Sequence, residues 1–153
     1  MEPMLVRLLL VVALLAAVGL VGWWWQRRDG RMREVAEDAE AAVPALDGAQ
    51  LAEVGLSLDS APAGAVLLSS PTCGSCHQVR RILAEVAGER PDFAWVSVDA
   101  AEHLELARRH HVMRVPTLFV VDHAGHLLAR TSGVPARHEL EQLLDRVGAE
   151  QAS

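Results

Sequence analysis

The sequence predicts an α/β domain, a central mixed sheet flanked by helices, preceded by a single N-terminal transmembrane helix. Three observations predict it. Leu8 to Trp25 forms an unbroken, uncharged run, "LLLVVALLAAVGLVGWWW". From Ala65 onward, short apolar runs alternate with segments of helical period, in the order β-α-β-α-β-β-α. The last two strands are separated only by a short turn. They form an antiparallel hairpin, whereas the earlier strand–helix–strand crossover implies parallel pairing. The chain has 153 residues. With the membrane segment set aside, roughly 110 remain, enough for one small domain with one core.

Taking the elements in order, the 18 residues from Leu8 to Trp25 would span about 27 Å as a helix, close to the thickness of a bilayer core. Trp23, Trp24 and Trp25 stand at its end, where an interfacial aromatic belt belongs. A cleaved signal peptide would need a basic leader and a small-residue cleavage site. Here only Arg7 precedes the run, and tryptophans fill the cleavage position. Residues 1–25 are therefore expected to be an uncleaved single-pass anchor in the cell membrane, contacting lipid. Arg27, Arg28, Arg31 and Arg33 follow it, so the positive-inside rule places the C-terminal domain in the cytoplasm. An extracytoplasmic domain is the alternative.

Residues 26–43, "QRRDGRMREVAEDAEAAV", are charged, lack core residues at helical spacing and read as a tether. The domain proper is expected over 44–153. Leu46, Leu51, Val54, Leu56 and Leu58 begin it as a short helix or strand. "AVLLS" (65–69) suits a buried strand. Val79, Ile82, Leu83 and Val86 mark one face of a helix that ends at Gly88. "FAWVSVD" (93–99) alternates and is rich in β-formers. "AEHLELARRHHV" (101–112) reads as a helix and "TLFVVD" (117–122) as a buried strand. Ala124-Gly125 turns the chain into "HLLART" (126–131). Pro135 opens a last helix whose Leu140, Leu143, Leu144 and Val147 share a face.

Charge excludes one class of function. The chain carries 14 basic residues, all Arg, against 20 acidic ones. From Pro44 on, nine Arg face fourteen Asp or Glu. Such a surface has no basic nucleic-acid footprint. The two cysteines lie three apart, and a bridge between them closes too short a loop to stabilise a fold much. A structural zinc site needs about four ligands. The seven histidines are scattered, so no metal site is expected.

Chemistry concentrates in "SSPTCGSCHQVRRIL" (69–83). Cys73-Gly74-Ser75-Cys76 is a C-x-x-C dithiol motif, and with His77 it also spells the C-x-x-C-H attachment motif of c-type haem. The spacing puts Cys73 where a strand gives way to a helix. There its sulfur meets unpaired backbone N–H groups and the positive end of the helix dipole, both of which favour a thiolate. Cys76, one turn further, is placed to resolve a mixed disulfide formed on Cys73. Thr72, Gly74, Ser75 and His77 complete the active-site loop. His77 is read mainly as a surface residue, and as a tuner of the sulfur only if cationic and close. Arg80 and Arg81 lie beside the site as solvated helix charges, and "RRHH" (108–111) is read as the wet side of a helix.

With "CGSC" and "RVPTLFVV" (114–121) together, residues 65–148 resemble the thioredoxin family. The resemblance implies a thioredoxin-like fold. It also implies catalytic roles for Cys73, Cys76 and Pro116. Pro116 matches the family's cis-proline facing the C-x-x-C, a position where proline alone readily tolerates cis. Val115, with Pro116, matches the backbone that pairs with extended substrates. Gly125 and Gly133 match glycines after the central and last strands. Departures are equally specific. Thr72 stands where the family usually has Trp, and Gly74-Ser75 where a proline is usual. Leu67 replaces a buried Asp, Trp95 a Lys, and Arg81 a helix proline.

The chain thus resembles a membrane-anchored, bacterial-type thiol–disulfide oxidoreductase that needs no cofactor. Its implied role is to reduce protein disulfide clients. The implied upstream thiol donor is a thioredoxin reductase or a membrane electron carrier. Two alternatives are a c-type haem protein, with His77 and Met113 as axial ligands, and a non-catalytic docking module of the same fold. A haem site calls for neither the preceding apolar strand nor the facing Val-Pro-Thr. A docking module has no use for both cysteines.

Overall fold

The computed structural model describes residues 2–29, 33–34, 45–59 and 61–151. Of the expected tether, residues 30–32 and 35–43 lie outside these, as do Met1, Pro44, Ser60, Ala152, Ser153 and the side chains of residues 2–5, 25–29, 33–34 and 151.

The N-terminal helix α1 runs over Glu2–Asp29. Its stretch Val6–Trp24 is long and apolar enough to cross a membrane, with mean hydropathy 2.4, and no part of it is buried. The helix continues past the boundary expected at residue 25. The two-residue strand β1, Arg33–Glu34, then stands within the segment read as a tether.

The remaining elements are α2 (Gly48–Glu53), β2 (Ala63–Ser69), α3 (Gly74–Glu89), β3 (Phe93–Asp99), α4 (Leu104–Arg109), β4 (Thr117–Asp122), β5 (Leu127–Ser132) and α5 (Arg137–Gln151). The sheet order is β1-β5-β4-β2-β3. Strands β2 and β3 are parallel; every other neighbouring pair is antiparallel. This is the mixed sheet of a thioredoxin-like α/β fold. Strand β2 lies between β4 and β3, and all seven of its residues are buried.

Period-two alternation divides the core. Leu67 of β2 and Leu118 and Val120 of β4 meet Val79 and Leu83 of α3 and Leu140 of α5. The intervening Val66, Leu68 and Phe119 meet Leu51, beside Leu46, and Leu106 of α4 on the other face. Salt links reinforce the first face. Arg137 of α5 bonds Glu89 of α3 at 2.5 Å and Glu141 at 2.7 Å, and Arg90 pairs with Asp145.

Element ends depart from the sequence reading for local reasons. Helix α3 passes through Gly88 and stops at Glu89, because Arg90 precedes Pro91 and is extended (φ −127°, ψ 94°). The backbone N–H groups of Glu102 and His103 bond the Asp99 carbonyl, and that of Ala101 bonds its carboxylate. This turn delays α4 until Leu104. His111, at φ 49°, closes it early. The segment after Pro44 resolves as a short helix. Asp47 caps it, accepting from Gln50 N–H at 2.8 Å, while the Gln50 side chain accepts from Asp47 N–H.

The reading of "RRHH" as the wet side of a helix is corrected at His110. Its side chain is fully buried, with its ring 5.3 Å from that of Phe119 and no hydrogen-bond partner on either ring nitrogen. Burial holds its pKa below the ordinary 6.5, helped by the charges of Arg109, Arg130 and His111 and opposed by Asp47. The ring fills space beside Phe119 at the end of a short helix, which a polar-face pattern does not reveal.

Candidate active site

Strand β2 ends at Ser69 and α3 begins at Gly74, so the loop between them opens at the edge of the sheet where β2 and β3 end and β4 begins. Cys73 is the N-cap of α3, with extended dihedrals (φ −84°, ψ 103°). Its backbone N–H donates to the Ser70 carbonyl at 3.2 Å, closing the turn. Its Sγ accepts from the backbone N–H of Cys76 at 3.2 Å and lies 3.5 Å from the Ser75 hydroxyl. An N-cap oxygen ordinarily plays this part; here a sulfur does. Cys76 is fully buried one turn on, while Cys73 is only half-buried. The two are joined as a disulfide, with Cα atoms 5.3 Å apart, inside the usual range for such a bridge.

Pro116 arrives at the same end of the sheet. The register pairs Leu68 of β2 with Thr117 of β4, so the residue before β4 lies beside the strand end that carries the cysteine loop. Pro116 is buried, and the Val115–Pro116 peptide is cis. Two bonds brace this corner. The Gly133 N–H donates to the Pro116 carbonyl at 2.9 Å, and the Thr117 hydroxyl donates to the Arg114 carbonyl at 2.7 Å. Gly133 adopts φ 107°, a conformation that favours glycine. Thr72, Gly74, Ser75 and His77 are all exposed around Cys73, and Val115 is half-buried. Met113 stands 91% exposed in the α4–β4 connection. Among the described residues, no group of three or more His, Cys, Asp or Glu is placed to hold a metal ion.

A family model, thioredoxin, matches residues 59–146. The chain belongs to the thioredoxin family. It is 32% identical over 85 residues to Thioredoxin H2-1 of Oryza sativa subsp. japonica, covering 56% of this chain and 60% of that one. It is 30% identical over 78 residues to the thioredoxin of Bacillus subtilis (strain 168), covering 50% and 74%. The aligned part therefore spans less than two thirds of the rice relative. Among solved structures, a single-site mutant of the thioredoxin from Halobacterium salinarum NRC-1 superposes with a TM-score of 0.54 at 22% identity, over 66% of this chain and 86% of that one. That likeness is one of fold.

Against the family pattern, the interior beside the cysteines is apolar. Leu67 is fully buried in the core between the sheet and α3, and Trp95 packs against the same core. A feature that sequence reasoning missed lies close by. Arg80 is no simple solvated charge: its Nη2 donates to the Ser69 hydroxyl at 2.8 Å and its Nε to that of Ser97 at 3.0 Å. Ser69 is 1% exposed and donates onward to the Val98 carbonyl at 3.0 Å. Arg80 therefore fastens the first half of α3 to the end of β2 and to the second half of β3. Arg81 is exposed, as expected.

Proposed function

We propose that this chain is a membrane-tethered thiol–disulfide oxidoreductase that reduces protein clients. One observation supports this most. The half-buried Cys73 sulfur caps a helix at 3.2 Å from a backbone N–H and is bonded to the buried Cys76 sulfur. In the reduced form, that N–H and the helix dipole favour a Cys73 thiolate. The thiolate attacks a client disulfide, forming an S–S bond to one client sulfur and releasing the other as a thiolate. Cys76 then loses its proton and attacks Cys73. The mixed disulfide breaks, the Cys73–Cys76 bond forms, and the client leaves with two thiols after proton uptake. Two electrons pass from protein to client. Leu67 and Trp95 supply no proton acceptor, so water or the departing client thiolate takes the Cys76 proton.

Pro116 and Val115 are assigned to hold the client's extended backbone beside the sulfurs. An upstream thiol donor, a thioredoxin reductase or a membrane electron carrier, restores the dithiol. The apolar helix supports membrane anchoring, and the arginines that follow it favour a cytoplasmic domain.

The test uses paired variants in cells. Cys76→Ser is expected to accumulate mixed disulfides that dithiothreitol releases, and Cys73→Ser to accumulate none and to lose activity. A Soret band that survives denaturation of the purified chain would defeat the dithiol reading in favour of covalent haem.

A further inference from the structure

Arg80 is placed for more than fastening a helix. The residue is half-buried, and its guanidinium is held by two neutral hydroxyls, those of Ser69 and Ser97. Among the described residues, no carboxylate pairs with it. A cation partly withdrawn from water, with no counter-charge against it, leaves its field uncancelled for any group that ionises nearby.

The fold sets this charge beside the dithiol. Cys76 and Arg80 are one turn apart on α3, which keeps their Cβ atoms about 5–6 Å apart. Helical side chains lean toward the helix N-terminus, here the end that carries the cysteines. The strand contacts agree with that lean. Ser69 is the last residue of β2, and the carbonyl of Ser70 accepts from the Cys73 N–H at 3.2 Å. The guanidinium therefore lies between the first turns of α3 and the strand end from which the cysteine loop departs.

Cys76 is the thiol that needs such a charge. It is fully buried, and apolar surroundings disfavour a thiolate. Leu67 and Trp95, in the core on this face of the sheet, are uncharged. Cys73 has the Cys76 N–H at its sulfur, whereas among the described residues no donor bonds the Cys76 sulfur. Strand β2 and residues 133–136 carry no charge. His77 and Arg81 are exposed on α3, and Arg114 stands before the cis peptide. Asp99, opposite Ser69 on β3, works against the cation, with its carboxylate engaged by the Ala101 N–H at 2.8 Å.

We propose that Arg80 is a positioning residue for the resolving step, its fixed positive charge favouring the Cys76 thiolate that attacks the mixed disulfide on Cys73. This role rests on the exchange reading above. The Cys76 proton goes to water or to the departing client sulfur. Its electron pair forms the bond to Cys73, and the client sulfur leaves with the pair of the broken bond. Arg80 neither gains nor loses a proton.

The chain has two cysteines and no tyrosine, so far-ultraviolet thiolate absorbance of a single-cysteine variant titrates one thiol. In full-length Cys73→Ser, adding Arg80→Gln is expected to raise the Cys76 midpoint by about one pH unit. Arg80→Lys, which keeps the charge, is expected to restore most of the difference. In Cys76→Ser, Arg80→Gln is expected to move the Cys73 midpoint less. With both cysteines present, stopped-flow release of the second thiopyridone from dipyridyl disulfide reports resolution. Arg80→Gln is expected to slow it about three-fold at neutral pH, a roughly tenfold loss of thiolate partly offset by the greater nucleophilicity of a more basic sulfur. The slowing is expected to vanish above both midpoints. An unchanged Cys76 midpoint in folded Arg80→Gln overturns the role. So does a Cys73 midpoint that moves as far as that of Cys76, or a slowing that persists above both midpoints. If Arg80→Gln does not fold, Ser69→Ala/Ser97→Ala, which frees the guanidinium, decides by the same Cys76 midpoint, with a smaller rise expected. The titrations do not depend on exchange: absence of mixed disulfides on Cys76→Ser in cells overturns the exchange reading whatever the midpoints.

Discussion

The two faces of the sheet are built differently. On one lie α3 and α5, of 16 and 15 residues, which bury leucine and valine stripes and are linked by arginine–carboxylate pairs. On the other lie α2 and α4, of six residues each. Helices so short are marginal on their own. They are held by a capping box, by turns that end on backbone carbonyls, and by single inserted side chains such as Leu46 and His110. The reactive loop opens from the long-helix face, because α3 supplies both its cap and its buried thiol. The difference teaches that the site is anchored by the stiffer face, while the second face completes the core with less regular parts.

The largest effect is expected from paired truncations. Leu83→Ala, at a fully buried site between long elements, should cost about 4 kcal/mol, and Leu51→Ala, on a short helix at the rim, about 2 kcal/mol. Urea unfolding midpoints measure both, and equal losses would erase the distinction between the faces.

Next comes His110. A buried ring with unpartnered nitrogens is a poor occupant, so His110→Leu should stabilise the domain by about 1–2 kcal/mol at neutral pH. The pH dependence has a definite sign. A folded-state pKa below 6.5 means that the unfolded chain takes up a proton the folded ring resists. The contribution is fully present above the ordinary value of 6.5 and is lost as pH falls below it toward the folded pKa. Melting curves between pH 7.5 and pH 5, read as about one proton's worth of linkage, should fall more steeply for the native sequence than for His110→Leu. Parallel curves would remove His110 as the cause.

The smallest effect is assigned to Asp47→Ala, which removes the α2 cap and should cost about 1 kcal/mol. Hydrogen exchange should quicken across Gly48–Glu53 and leave α3 unchanged.

The same contrast explains how much the sequence disclosed. Strands β3 and β4 were legible to the residue, and α3 to within one residue at either end: β3 alternates β-forming side chains although only partly buried, β4 is an unbroken apolar run, and α3 is long enough to display an apolar stripe. Cys73 and Cys76 were legible from spacing, and their helix-cap position from the adjoining apolar strand. The buried state of His110 was not, since a six-residue helix carries too few turns to display a face. The Arg80 bracket was hidden because a helix-surface arginine looks the same in sequence whether it meets water or two serines. Strand β1 was unreadable: two charged residues hold no pattern, and only the open edge of β5 gives them a partner.

One consequence follows from Gly125. Its φ of +87° and the Leu46 carbonyl packed where a side chain would begin make this turn and the segment before α2 a single joint, closed by the Leu46 N–H to Gly125 carbonyl bond at 3.0 Å. During translation, Leu46 leaves the ribosome long before Gly125 exists. Arg33 and Glu34 likewise wait for Arg130 and Ala129. Arg33, Glu34 and Leu46 are thus among the last residues to find their partners, and a nascent chain halted before residue 125 would present all three without them to chaperones and proteases.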